Sequence, residues 1–476
     1  MDAPDKLLSG RVARSALVSG IRTLFAYLVS AVVMLILTHR LSPRAFGIYT
    51  TVVAASLLAY QLVTAGFAYS FTRADDVPED AINAAFWTFE TLYLIAAGLL
   101  AGISFVSSSP SAHIILRGMA GFLAVAPLRF PMMIRCWRRL EMGRLALIDL
   151  SEFVVLQVGA LTLILLGVGP AAFGYAIVAG ACTSSGLSML LMRWFPPRPL
   201  YKPLAPWVAE ARQMFAANFL ALLRDNGSAP MLSVAFGTGI AGYYGWAAGV
   251  TSAGLGLAAV LTHTLFLGFA QAPDPSVIPD ALRRALKILI LYVGAVVAII
   301  GGAGEPLTRT VFTARWIPAL LGLRLLLPAL ATIMVLGVLT NLALAERRIA
   351  IVIRCLLLLV VLAVGFGLPA TSQWGVAGYA AALLAAALVA TIVIWRQTSR
   401  IHLMEKTLVW SSMGVALSTG LTVVLGSFVF QTSRGSWLVL AEALATCAAV
   451  FLTLAMVISR GDILADIRDA LRVIRV

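Results

Sequence analysis

Arginines interrupt long apolar stretches of the sequence, among them Arg22, Arg117, Arg129, Arg224 and Arg324. A guanidinium is a planar fork of donors that grips phosphate oxygens two at a time. The chemistry these residues suggest is therefore the holding of negative charge rather than the breaking of a bond. Arg22, Arg224, Arg129, Arg324 and Arg117 are the candidates for such a binding site, Arg22 and Arg224 standing on the first helix of each half. The simpler reading of Arg22 and Arg129 is snorkelling to a nearby interface. Arg117 and Arg324 lie near helix ends and would either line an outer vestibule or anchor to headgroups.

The acidic candidates in these stretches are Glu90, Asp149, Glu152 and Asp225. Asp225 stands in LLRDNG beside Arg224, but neighbours on a helix point about 100° apart, so the two need not pair. Asp225 and Glu90 are candidates for coupling, because a carboxyl inside a membrane can exchange a proton or cation between states. Asp149 and Glu152 read as counter-charges to Arg144. Gln61 and Gln157 could hydrogen-bond sugar hydroxyls, and His263 could reach a cavity.

Nothing in the sequence builds a catalytic constellation. It carries no Ser/His/Asp set, no metal-ligand cluster and no phosphate-cradling glycine loop at a polar site. Cys136, Cys182, Cys355 and Cys447 are widely spaced, without a CxxC, and read as small apolar filler. A non-enzyme without cofactor or metal is expected.

The elements that hold these charges follow from composition. Of 476 residues, 61% are hydrophobic and 12% charged, and mean hydropathy is +0.96. Soluble proteins carry about 25% charged residues. A soluble enzyme, a nucleic-acid binder and a disordered chain are excluded, and the net charge of +14 reads as membrane topology. Fourteen segments are long and apolar enough to span, near 15–38, 46–71, 82–106, 114–134, 145–167, 173–192, 213–236, 243–264, 286–304, 317–343, 349–368, 376–395, 408–430 and 437–458. The N-terminal stretch reads as a retained first helix and not a cleaved signal. The predicted class is an all-α polytopic membrane protein. Clusters such as Arg135, Arg138, Arg139 and Arg144 fall in alternate connections, against only Arg40, Arg44, Arg309, Arg315 and Arg434 on the other side. The positive-inside rule then places both termini in the cytoplasm. Trp87, Trp207, Trp316, Trp374 and Trp437 fit an interfacial belt.

The chain also repeats itself. LSPRAFGIYTTVVAAS aligns with FGTGIAGYYGWAAGVTS, putting Tyr49 on Tyr244 at an offset of 195; FGYAIVAGA aligns with AGYAAALLA, putting Gly174 on Gly378 at 204. Arg144 falls on Arg348 at the same 204. Six helices per half is an even number, so the halves are parallel. The expected organisation is an N-terminal lobe at 1–192, a Pro-rich basic linker at 193–212, a C-terminal lobe at 213–400, and two further helices with a tail at 401–476.

The opening SGIRTLFAYLVSAVVMLILTHRLSPRAFGIYTTVVAAS, with its turn Arg40-Leu41-Ser42-Pro43 and Phe46-Gly47-Ile48-Tyr49, resembles the first two helices of polysaccharide exporters. The half-repeat ending in GYYGWA and the turn GVGPAAFGYAIV fit the same pattern, over residues 10–400. The family is that of the O-antigen and exopolysaccharide flippases of the multidrug/oligosaccharidyl-lipid/polysaccharide exporter superfamily. The resemblance implies two six-helix lobes around a cationic cavity, alternating between inward- and outward-open states. It implies an undecaprenyl-pyrophosphate-linked oligosaccharide as cargo, the bacterial inner membrane as location, and the polymerase and chain-length proteins of the same pathway as partners. Fourteen helices rather than twelve is a departure, shared with lipid II flippases. The alternatives are a lipid II flippase, a cation-coupled drug antiporter of the same superfamily, and a membrane-embedded glycan polymerase. An antiporter for cationic drugs calls for acids to dominate the cavity, whereas here arginines outnumber acids.

Overall fold

The computed structural model describes the backbone of residues 3–73, 77–106, 110–139, 141–195, 198–199, 204–270, 278–346, 348–398, 406–431 and 435–458. Side chains are described over fewer positions, and those of Gln61, Trp207 and His263 lie outside them. The described chain is helical and, among the described residues, contains no strand. The helices are α1 (Ala3–Arg40), α2 (Pro43–Arg73), α3 (Glu79–Val106), α4 (Pro110–Val125), α5 (Phe130–Arg139), α6 (Met142–Leu165), α7 (Ala172–Met192), α8 (Ala205–Asn226) and α9 (Ser228–Phe236). They continue as α10 (Thr238–Ala270), α11 (Ile278–Gly302), α12 (Gly304–Val311), α13 (Leu320–Ala345), α14 (Ile349–Trp374), α15 (Val376–Thr398), α16 (Lys406–Val429) and α17 (Trp437–Ile458).

Each of the fourteen expected segments falls on a helix. Among the described residues, ten helices are long and apolar enough to cross a membrane, or eleven if α11 and α12 form one bent span. The protein is a multi-pass membrane protein. Three of the fourteen expected segments fall outside this number. The described part of α2 that is apolar stops at Ala59, the side chains of α10 are described only in part, and the segment 213–236 breaks between α8 and α9. Gly227 and Pro230 make that break. Pro230 has no N–H to give the Asn226 carbonyl, and a Cβ at Gly227 would lie 2.4 Å from the Leu223 carbonyl oxygen.

Two compact units emerge: Met1–Leu37 with Ala45–Val234, and Thr38–Arg44 with Ala235–Val476. Residues 213–234 thus pack with the first unit, although the repeat aligns them with the start of the second half. The α1–α2 turn belongs to the second unit, where Arg315 donates to the Leu41 carbonyl (3.1 Å) and Trp316 Nε1 to that of Thr38 (3.2 Å). Trp316 is therefore a core residue, fully buried, and not part of an interfacial belt; its ring stacks on Trp246 at 5.7 Å. Trp374 and Trp437, by contrast, are 71% and 69% exposed.

In the first unit α4 and α6 both pack on α7, and in the second α13 and α14 both pack on α15. Close backbone approach makes the first contact possible: a Cβ at Gly118 would lie 2.3 Å from the Gly174 carbonyl oxygen. At the repeat offset, Gly322 meets the Val376 side chain, a Cβ there lying 2.7 Å from Cγ1. The aligned tyrosines also share a role. Tyr49 packs on Phe173 (4.9 Å) and Tyr244 on Tyr379 (5.5 Å), each at the start of the last helix of its half.

Two breaks in spanning helices are repaired by neighbouring side chains, as a membrane interior demands. Pro127 opens α4 into a short 3-10 turn, residues 126–129, before α5. The Ser185 hydroxyl of α7 donates to the Val125 carbonyl there at 2.9 Å. At Ala303 the chain bends 66° between α11 and α12, and Arg324 Nε donates to the Gly301 carbonyl at 3.2 Å. α16 and α17 pack against α11 through small residues: Thr419 donates to the Gly294 carbonyl at 3.3 Å, and a Cβ at Gly426 would lie 2.8 Å from the Gly302 Cα.

Candidate functional site

The charges of the first unit gather around α6. Asp149 and Glu152 are three residues apart, which puts them on one face of that helix. The proline turn ends at Arg129 and directs it onto both acids: its guanidinium pairs with Glu152 and reaches Asp149 at 3.4 Å. Arg22 of α1 pairs with the other oxygen of Asp149. Two cations and two anions form one network, and Asp149 is its shared member. Counting 1.5 Å per residue, Asp149 lies about 10 Å inside α6. Arg22 is 33% exposed and Arg129 13%, so the α1 arginine is the more open of the two. Arg144, expected to be balanced by these acids, pairs instead with Glu141 at 2.6 Å.

Arg224 and Asp225 do pair, contrary to the expectation from their helical angles. Nε meets Oδ1 at 2.7 Å and an NH2 meets Oδ2 at 2.9 Å, a two-pronged contact. The pair sits in the last turn of α8 beside the Gly227 break, with the arginine buried at 15% and the carboxylate half-exposed.

The other candidates are elsewhere. Glu90 on α3 is 8% exposed, and among the described residues its Oε2 has no hydrogen-bond partner. Arg117 is exposed; it stacks over Phe105 at 4.9 Å and donates to Ser104 at 3.4 Å. Both partners belong to α3, so Arg117 ties α4 to its neighbour. Arg324 caps the α11–α12 bend, as described above, close to Glu305, whose carboxylate takes a fork from Arg309 at 2.9 and 3.0 Å. Gln157 accepts a bond from Tyr49 at 2.8 Å and so holds α2 to α6. Among the described residues no three His, Cys, Asp or Glu side chains gather as metal ligands would.

What the sequence reading missed is the role of Asp149 and Glu152. Their shared face was visible in the i, i+3 spacing. Their partners were not, since Arg22 is 127 residues from Asp149.

The chain is thus a helical, multi-pass membrane protein whose part-buried charges pair between helices. Residues 12–270, more than half of the chain, match the Polysaccharide biosynthesis protein family, and the chain belongs to it. Among solved structures it is similar to the lipid II flippase MurJ in an inward closed conformation, with a TM-score of 0.74 and 13% identity, covering 94% of this chain and 99% of that one. It is also similar to an outward-facing multidrug resistance MATE family transporter of the MOP superfamily (0.53, 15% identity, 82% and 96% covered). A MATE structure in the bent conformation scores 0.54 at 15% identity, with 87% and 100% covered. No match was found among curated protein sequences. The fold is that of the MurJ and MATE transporters.

Proposed function

We propose that the protein is a flippase that carries an undecaprenyl-pyrophosphate-linked oligosaccharide across the bacterial inner membrane, for exopolysaccharide or O-antigen assembly. The observation that supports this reading is the pairing of Arg22 and Arg129 with Asp149 and Glu152, a set whose α6 acids and Arg129 have no charged counterpart in the second half. At the repeat offset of 204, Arg129, Asp149 and Glu152 fall on Ile333, Ile353 and Leu356. The same scaffold is thus built without Arg129, Asp149 and Glu152, and an ion network of this kind is weak evidence for stability. Its retention fits a task, and phosphate binding is the task guanidinium performs best. Arg22 is the first residue to meet the pyrophosphate, and Arg224 is the second candidate. Alternating access between the lobes at 1–192 and 213–400 moves the headgroup while the lipid tail stays in the bilayer. Both termini face the cytoplasm, and Glu90 and Asp225 are the candidates for ion coupling. The polymerase and chain-length proteins of the pathway take the product.

Reconstituted protein supplied with lipid-linked oligosaccharide, lipid II or a cationic drug separates the readings. Transfer of the lipid-linked oligosaccharide, lost in Arg22→Ala at unchanged protein level, is expected. Transfer of lipid II alone, or of the drug alone, would replace this proposal with the corresponding alternative.

A further inference from the structure

Among the described residues Asp149 is the one acid that two arginines share. It holds Arg22 through one oxygen and Arg129 through the other, and Arg129 holds Glu152 as well. The geometry is unequal in a useful way. If Arg22 left, Asp149 would keep a cationic partner, and no carboxylate would be stranded in the membrane. If Arg129 left, Glu152 would be stranded. Arg22 is also the more exposed arginine, and among the described residues Asp149 is its only ion-pair partner. One member of the network can therefore change partners at low cost, because the remaining three still pair.

We infer that Asp149 is a displaceable counter-ion. It occupies Arg22 while the carrier is empty, gives Arg22 up to an incoming phosphate oxygen, and competes it back to expel the anion. Asp149 touches no cargo in this scheme; it is a positioning residue that sets how tightly Arg22 holds and how readily it lets go. The argument rests on the flippase reading for the identity of the anion, a polyprenyl pyrophosphate. Two features make the exchange selective for a diphosphate over a neutral lipid. Arg22 is released only to a ligand that replaces a full carboxylate contact, and the fork geometry rewards paired oxygens.

The experiment uses the full chain in nanodiscs, with polyprenyl pyrophosphate and inorganic pyrophosphate as probes, beside export in cells lacking the chromosomal gene. Asp149→Asn keeps the shape but removes the competing charge. It should bind polyprenyl pyrophosphate on the order of tenfold tighter, the size of a charged hydrogen-bond contact, while maximal export falls and half-saturation shifts to lower cargo. Arg22→Ala should lose binding. Asp149→Asn binding equal to or weaker than wild type, with Arg22→Ala defective, overturns the counter-ion role and leaves the flippase reading standing. A wild-type protein that binds neither probe overturns the pyrophosphate reading itself, and the exchange with it. Inorganic pyrophosphate binding without the polyprenyl form points to a free anion as the ligand and sinks the lipid-linked version. Should Asp149→Asn fail to accumulate, the exchange is read in wild type by infrared difference spectroscopy with labelled aspartate. Adding the probe should shift a carboxylate stretch that is absent in Asp149→Glu, and no shift rejects the exchange.

Discussion

The two halves of the repeat solve one packing problem with different residues. In the first, α4 and α6 meet α7 around Arg129, Asp149 and Glu152; in the second, α13 and α14 meet α15 around Ile333, Ile353 and Leu356. Leu356 and Ile333 are buried, and the neighbouring Arg354 is exposed. The apolar version shows what the fold needs, so the charges of the first half are an addition to it. The second half has its own embedded arginine, but Arg324 serves the backbone at the α11–α12 bend. One arginine set balances acids between helices, and the other repairs a broken helix. Position inside a membrane therefore does not by itself distinguish a functional arginine from a structural one; the partner does.

The largest effect should come from unbalancing the network. Arg129→Ala leaves Glu152 stranded and Asp149 half-paired, at a cost of about 3–5 kcal/mol, read as loss of membrane-inserted protein. Removing all four charges, R22A with R129I, D149I and E152L, should restore protein level while export stays absent. Export by this quadruple variant would break the comparison, since the charges would then serve no transport role.

A smaller effect separates the two close helix crossings. Gly118→Ala drives a methyl against a backbone carbonyl, which cannot rotate away, whereas Gly322→Ala meets the Val376 side chain, which can. Overpacking of this kind costs about 1–3 kcal/mol, and thermal unfolding in detergent should show the Gly118 change to be the more severe. Equal losses would mean that the second crossing is as rigid as the first.

The smallest effect is expected at Arg324. Removing it as Arg324→Ala leaves the Gly301 carbonyl unpaired, about 1–3 kcal/mol, and Arg324→Gln should recover part of the loss by restoring a donor. Export per molecule should stay near wild type in both. A drop in export at full protein level would return Arg324 to the cargo path.

Much of this architecture was readable in advance, for physical reasons. Apolar runs of about twenty residues have few alternatives to a spanning helix, and the aligned Tyr49 and Tyr244 anticipated equivalent contacts that the fold supplies. The site was readable only as residue types. Nothing local in the sequence ties Arg22 to Asp149, because the bond depends on how α1 meets α6 and on the turn Pro127 introduces. The fork between Arg224 and Asp225 was missed for a different reason: ideal helix angles describe where Cβ atoms point, and two long side chains can reach around that angle. Trp316 looked like a belt residue because its depth, and its bond to Thr38 across 278 residues, are tertiary facts.

The network of Arg22, Arg129, Asp149 and Glu152 also has an electrical consequence. A bacterial membrane is negative inside, and carrying one elementary charge through 100 mV is worth about 2.3 kcal/mol. Two fixed positive and two fixed negative side chains sum to zero, so a conformational change that moves them together through the field does no net electrical work. An empty carrier built this way can reset against the voltage without assistance. On the proposed reading the anionic headgroup is a charge in transit that this cluster does not cancel, and an inside-negative potential pushes it outward. The balanced cluster leaves the voltage to act on the passenger and not on the vehicle.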